Sequence, residues 1–209
     1  MKGTVLITGL NNDFDKHLAA AFEREEHQVF KLKDSEDPNA AAQRIKEKAG
    51  KLDFFLDTTD FSHPYDDFTI QDGIDGDIIE SVFRKNVLTS MALLEAFLPL
   101  LDLGEGKRLF YLTSASASIN ETLSIRQYGY VMSKAALHQF IQMTSNTLKP
   151  KGYTFRVFDP MKGIVSPIAA AESAYNYITR RRGAENHDLR RDDEKNLVFR
   201  DARGRQHGW

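Results

Sequence analysis

Short apolar runs alternate along the chain with longer stretches of helical spacing. Thr4–Thr8, Gln28–Leu32, Leu52–Asp57, Arg108–Thr113 and Tyr153–Phe158 are strand-length runs rich in β-branched, aromatic and aliphatic residues. Between and after them, Leu18–Glu25, Asn39–Lys48, Asp77–Leu100, Gln127–Leu148 and Ala169–Arg181 have helical composition and spacing. Asp37-Pro38 opens the second helix, since proline is tolerated at the first helical position, and Pro150 and Gly152 close the fourth. Ile78, Val82, Phe83, Leu93, Leu94 and Phe97 are the core candidates of the third helix, and Tyr175 and Ile178 those of the last. Strands separated by helices of this length predict a doubly wound parallel sheet covered on both faces, a three-layer α/β/α arrangement. Such sheets bind ligands beyond the C-terminal ends of their strands.

Composition narrows the class. The 209 residues suit one domain over 1–209, with 41% hydrophobic and 28% charged positions. The absence of cysteine excludes a disulfide framework, thiolate metal sites and cysteine nucleophiles. His17, His27, His63, His138, His187 and His207 show no ligand spacing, so no metal is expected. A formal charge of −2 gives no reason to expect nucleic-acid binding. The arginines of the C-terminal segment (Arg180, Arg181, Arg182, Arg190, Arg191, Arg200, Arg203 and Arg205) read as a solvated mixed-charge surface. The most apolar run, Met91–Leu103, is broken by Glu95, Pro99 and Asp102 and is too short to span a bilayer. The N-terminal MKGTVLITGL reads as a strand and not as a signal peptide. These features predict a soluble, cytoplasmic protein that avoids membranes.

Three constellations fall at strand ends or in the long helices. Tyr130 and Lys134, four residues apart near a helix start, point at the same spot. A phenol is a poor acid or base at neutral pH, and a nearby ammonium brings its pKa down toward usefulness. Thr113-Ser114-Ala115-Ser116-Ala117-Ser118 offers small hydroxyls to a carbonyl or alcohol oxygen. Asn86, inside the third helix, needs partners if buried. Separately, each has an ordinary structural reading; hydroxyls at a strand end followed 12 to 16 residues later by YxxxK form a specific combination.

In that combination the sequence resembles the short-chain dehydrogenase/reductase family. The stretch YVMSKAALHQFIQMTSNTLKPKGYTFRVFDP, Tyr130–Pro160, is similar to that family's active-site helix and following strand. RLFYLTSAS resembles the strand that delivers its serine, FRKNVLTSMALLEAFLPLL the helix carrying its asparagine, and DARGRQHGW the last strand and turn of short members. The resemblance implies a Rossmann-like fold. It also implies an NAD(P)-dependent oxidoreductase interconverting a carbonyl and a secondary alcohol, working on a small molecule as a homodimer or homotetramer paired through the two long helices. Tyr130 would be the acid/base, Lys134 its pKa-lowering partner and a holder of the nicotinamide ribose, and Asn86 the anchor of a relay water. Ser114 would bind the reacting oxygen, with Ser116 and Ser118 as alternatives.

The cofactor side departs from the family's pattern. Where T-G-x-x-x-G-x-G is usual, the chain has Thr8-Gly9-Leu10-Asn11-Asn12-Asp13-Phe14-Asp15, keeping only the first glycine. The later glycines let backbone approach a pyrophosphate. A carboxylate close to a phosphate weakens binding on the order of a hundredfold. Asp13 and Asp15 at a helix start are read instead as capping its free amides. Asp57-Thr58-Thr59-Asp60 stands where N-N-A-G is usual, and Asp159-Pro160-Met161 where Pro-Gly is. Lys33, followed by Asp34, ends the second strand and favours NADP over NAD. By resemblance the cofactor would meet Thr8, Gly9, Leu10, Asn11, Phe14, Lys33, Thr58, Tyr130, Lys134 and Pro160. One helix separates the second and third runs, leaving no room for the family's third strand. The competing expectation is a degenerate relative without dinucleotide binding that acts as a binding or regulatory protein.

Overall fold

The computed structural model describes residues 2–9, 12–32, 36–180 and 196–209. Leu10, Asn11, Lys33, Asp34, Arg181, Arg182, His187, Arg190 and Arg191 lie outside the described residues. The strands are β1 Thr4–Ile7, β2 Gln28–Lys31, β3 Phe54–Asp57, β4 Arg108–Leu112, β5 Thr154–Asp159, β6 Phe199–Asp201 and β7 Gln206–His207. The helices are α1 Asp13–Arg24, α2 Pro38–Ala49, α3 Gly76–Phe83, α4 Thr89–Asp102, α5 Tyr128–Leu148 and α6 Pro167–Thr179. The sheet order is β2-β1-β3-β4-β5-β6-β7, parallel from β2 to β6 and antiparallel only between β6 and β7.

This is the doubly wound α/β/α fold that the alternating pattern predicts. Residues of β1 and β3 are buried on both sides, which is why these strands read as unbroken apolar runs. Leu6, Phe55, Leu109 and Tyr111 pack with Leu93, Phe97, Leu137 and Ile141 of α4 and α5 on one face. Their neighbours Val5, Ile7, Leu56 and Phe110 pack with Phe14, Leu18, Phe22 and Ile178 of α1 and α6 on the other. As expected from the spacing, α2 is the one element between β2 and β3 among the described residues. β2 therefore forms the sheet edge, with Gln28 and Lys31 exposed and Phe30 buried, and charge there discourages pairing with another chain.

Several boundaries differ from expectation for local reasons. The first helix begins at Asp13 because Asn12 caps it, accepting from the Asp15 amide at 2.9 Å. The helix anticipated over Asp77–Leu100 is interrupted by a π-helical turn, Arg84–Leu88, between α3 and α4. The turn shifts the helical phase so that Asn86 and Val87 are both buried, while Ile78 and Phe83 are only half-buried. In α6, Ile178 is buried as expected, but Tyr177 takes the second inward position and Tyr175 is half-buried against Phe22. The terminal DARGRQHGW, expected as a last strand and turn, forms the end of β6, a turn and a further short strand, β7. His207 pins it, with Nδ1 2.7 Å from Glu121 Oε2 and Nε2 3.2 Å from Asp201 Oδ2.

Candidate active site

The C-terminal ends of β1, β3, β4 and β5 open onto a cleft of about 480 Å³. Its walls include Phe14 of α1, Asp60 after β3, Leu112 of β4, Pro160 after β5, and Lys162 and Ile164 of the β5–α6 loop. Beside it, α5 presents Tyr130 and Lys134. The helix start is fixed from a distance. Gln127 is left-handed (φ 59°) and offers no side-chain cap, so Asp66 accepts from the Gly129 and Tyr130 amides at 3.1 and 2.8 Å. Glycine at 129 gives the Asp66 carboxylate room, since a Cβ there would sit 3.0 Å from it and 3.3 Å from Ile79 Cα. Sequence reasoning missed Asp66; the glycine in the first turn was the one trace of it.

Tyr130 and Lys134 converge as their spacing predicts, but on a carboxylate of the chain itself. The Tyr130 hydroxyl donates to Asp60 Oδ1 at 2.8 Å, and Lys134 Nζ lies 3.2 Å from the same oxygen. Lys134 is fully buried and also donates to the carbonyls of Thr59 (2.7 Å) and Leu112 (3.2 Å), which occupies its three protons. Burial pushes the Asp60 carboxyl up, but the charge of Lys134, the Tyr130 bond and nearby Lys162 outweigh it and hold the group below the usual range. The expected lowering of the Tyr130 pKa is overturned. Burial, then the charge and hydrogen bond of Asp60, raise the phenol well above its ordinary value, although the Ser114 hydroxyl pulls the other way. Asp60 neutralises the ammonium that was to activate the phenol.

Of the three candidate serines, Ser114 is the one beside the phenol; its Oγ is also 2.8 Å from Ser116 Oγ. The Ser118 side chain is buried, with no hydrogen-bond partner among the described residues. Asn86 is buried with its amide committed. Its side chain accepts from Phe61 N at 2.9 Å and donates to Phe61 O at 2.8 Å and Ser133 Oγ at 2.9 Å, while Ser90 Oγ donates to its backbone carbonyl at 3.0 Å. These bonds make it a clamp on the loop that carries Asp60, with both polar atoms of its side chain engaged.

Thr8 and Gly9, which follow β1, turn inward. Thr8 Oγ1 donates to Asp57 at 3.0 Å and accepts from Thr58 N at 3.1 Å, while Thr58 Oγ1 accepts from the Gly9 amide and donates to the Gly9 carbonyl. Thr8, Gly9 and Thr58 thus bond one another and Asp57, away from the cleft. Gly9 is required here, because a Cβ would meet the Thr58 carbonyl at 2.9 Å. Asp13 and Asp15, read as paired caps, separate. Asp13 is exposed at the cleft and pairs with Lys16 at 3.1 Å. Asp15 is 1% exposed, turned beneath Gly9, and neither of its oxygens finds a hydrogen-bond partner among the described residues. Burial and the charges of Asp60 and Asp57 raise its pKa from 3.8 to about 7, eased by the nearby Thr58 hydroxyl, whose proton goes to Gly9. Tertiary burial outweighed the local preference for a cap, which Asn12 fills. Among the described residues no three His, Asp or Glu side chains gather to hold a metal, and no helix is long and apolar enough to cross a membrane.

Comparison with known proteins agrees with this architecture. The family model described as enoyl-(acyl carrier protein) reductase matches residues 2–187. An uncharacterized oxidoreductase of Schizosaccharomyces pombe is 30% identical over 138 residues, 66% of this chain and 53% of that protein, so the chain spans about half of its length. The carbonyl reductase Sniffer of D. melanogaster superimposes with a TM-score of 0.81 at 16% identity, over 100% of both chains. A short-chain dehydrogenase/reductase of Burkholderia multivorans, solved with bound NADP, gives 0.77 at 16% identity, again over 100% of both chains. The sheet order, the YxxxK helix and the family match over residues 2–187 lead to one conclusion: the chain belongs to the short-chain dehydrogenase/reductase family, a family of oxidoreductases.

Proposed function

We propose that this chain interconverts a small-molecule carbonyl and its secondary alcohol with NAD(P)H, Tyr130 carrying the proton. One observation carries the reading: Tyr130 Oη and Lys134 Nζ converge within 2.8 and 3.2 Å on a single oxygen, beside Ser114 and the cleft. That donor set fits a ribose hydroxyl, for which Asp60 Oδ1 is the stand-in. The phosphate end fits less closely, since the Gly9 amide is committed to Thr58 and Asp13 stands on the cleft wall. NAD(P)H, when bound, supplies the hydride. Ser114 orients the carbonyl oxygen and Tyr130 delivers its proton there. With Asp60 in place the raised pKa makes the phenol a weaker proton donor, so proton delivery requires that Asp60 leave the pair and Lys134 face the phenol.

A second reading, a binding protein without dinucleotide chemistry, is favoured by Asp60, which already uses Tyr130 and Lys134 internally. Thermal melts with NADPH and NADH separate the two. Binding at 100 times Kd raises stability by about 2.7 kcal/mol, and NADPH oxidation should follow when small aldehydes or ketones are added. No shift at millimolar dinucleotide would refute the reductase reading for the native chain.

A further inference from the structure

Asp60 stands at the junction of the two halves of the site. Its Oδ1 accepts from Tyr130 Oη and faces Lys134 Nζ, its Oδ2 is 3.7 Å from Lys162, and its side chain is 9% exposed. The backbone around it is held on both sides. Thr59 donates through its amide to Asp57 Oδ1 and accepts through its carbonyl from Lys134, and the Asn86 amide grips both the N–H and the C=O of Phe61. The loop is therefore anchored, and any rearrangement falls to the Asp60 side chain, which forms part of the cleft wall beside the exposed cation of Lys162.

We propose that Asp60 is the residue that decides how readily this site admits a dinucleotide, because its carboxylate holds the oxygen position shared by Tyr130 and Lys134. This inference rests on the dinucleotide reading above. A nicotinamide ribose hydroxyl enters only in exchange for Asp60 Oδ1, as the carboxylate turns into the cleft toward Lys162. The exchange gives up two hydrogen bonds to a charged group, each a strong one. Removing the carboxylate removes that competition. It also removes a negative charge, so the test must tell occupancy from charge.

Calorimetric titration of the wild type, Asp60→Ala and Asp60→Asn with three probes makes that distinction. NADPH and nicotinamide mononucleotide carry the nicotinamide ribose, whereas adenosine diphosphate carries only the adenine end. Asp60→Ala should tighten NADPH and the mononucleotide roughly ten- to a hundredfold and leave adenosine diphosphate unchanged. Asp60→Asn keeps the shape but gives up the charge, and should show a smaller gain of the same kind; it serves alone if the alanine variant does not fold. An equal gain for adenosine diphosphate would overturn occupancy in favour of charge. Micromolar NADPH binding that is the same in all three proteins would overturn the role of Asp60 while leaving the dinucleotide reading intact. Cooperative melting with no binding by any of them at millimolar probe would overturn both.

Discussion

The two ends of the cleft use the same sheet in opposite ways. At the α5 end, the candidate side chains reach out from rigid elements to one point: Tyr130, Lys134 and Ser114 meet within hydrogen-bond distance of one another or of Asp60. At the α1 end, backbone groups turn inward. The Gly9 amide and carbonyl close on Thr58, and the Thr8 hydroxyl closes on Asp57. A side-chain constellation persists wherever its helix and strand persist, because packing fixes it. A phosphate cradle depends on unoccupied amides and missing β-carbons, so a few substitutions close it while the fold stays intact. In the proposed reading the retained end is the one that would move protons, and the altered end the one that would hold phosphate.

The largest expected effect tests the proton-moving end. Tyr130→Phe removes the proton that reaches the substrate oxygen, and turnover should fall about 10²- to 10⁴-fold, the usual worth of general acid–base catalysis. NADPH affinity in thermal melts should stay within a few-fold, since the aromatic ring and Lys134 remain. Surviving turnover would remove the functional half of the contrast and leave two structural ends.

The next effect belongs to the altered end and is a matter of stability. Asp15 keeps its proton in the folded chain up to a pH of about 7, against 3.8 when free. The folded state therefore binds more protons than the unfolded one across that window, and stability falls as pH rises through it, by about 4 kcal/mol in all. His138 acts in the opposite sense. Burial, with the charge of Lys134, lowers its pKa from 6.5 to about 4, so stability falls as pH drops through that range. The two slopes cancel between roughly pH 4 and 6.5, and the wild type alone hides both. Asp15→Asn should uncover the His138 slope and gain several kcal/mol on the wild type at pH 8 relative to pH 4.5, measured by urea unfolding. A difference between the two proteins that does not change with pH would mean that Asp15 is ionised in the fold.

What the sequence reveals follows from how local each cause is. The central strands were readable because burial on both faces leaves apolar runs, and the missing third strand because only one helix fits before β3. Tyr130 and Lys134 were readable because four residues on one helix decide their meeting. Asp60 stood out only as a departure from N-N-A-G; its pairing was not readable, because it meets Tyr130 across 70 residues of chain. Asp66 is hidden for the same reason, reaching its amides from 63 and 64 positions away. The π-helical turn carries no breaker residue: Arg84-Lys85-Asn86-Val87-Leu88 reads as ordinary helix, and the tertiary demand to bury Asn86 against Phe61 and Ser133 accompanies its irregularity. Asp15 was misread because a carboxylate in a first helical turn suits a cap, whereas Asn12 already supplies one.

The smallest expected effect is the most diagnostic for the phosphate end. Asp13 lies on the cleft wall at the first position of α1, but its side chain is 68% exposed and paired with Lys16. Water screens most of its repulsion toward a phosphate, so the hundredfold penalty for a close pair does not apply, and a pair of this kind is worth at most about 1 kcal/mol. Asp13→Gly removes both the charge and the β-carbon. It should tighten adenosine diphosphate and NADPH alike by about two- to fivefold, at a stability cost of about 0.5–1 kcal/mol for glycine in a helix. Nicotinamide mononucleotide has a phosphate but no adenine half, and should respond less than either. The two ends then become separable by probe: Asp60 substitutions act on the nicotinamide ribose and Asp13→Gly on the diphosphate. An Asp13→Gly protein whose affinity for both nucleotides is unchanged would show that phosphate does not meet the β1–α1 turn, and the contrast between a retained and an altered end would reduce to the state of Asp60 alone.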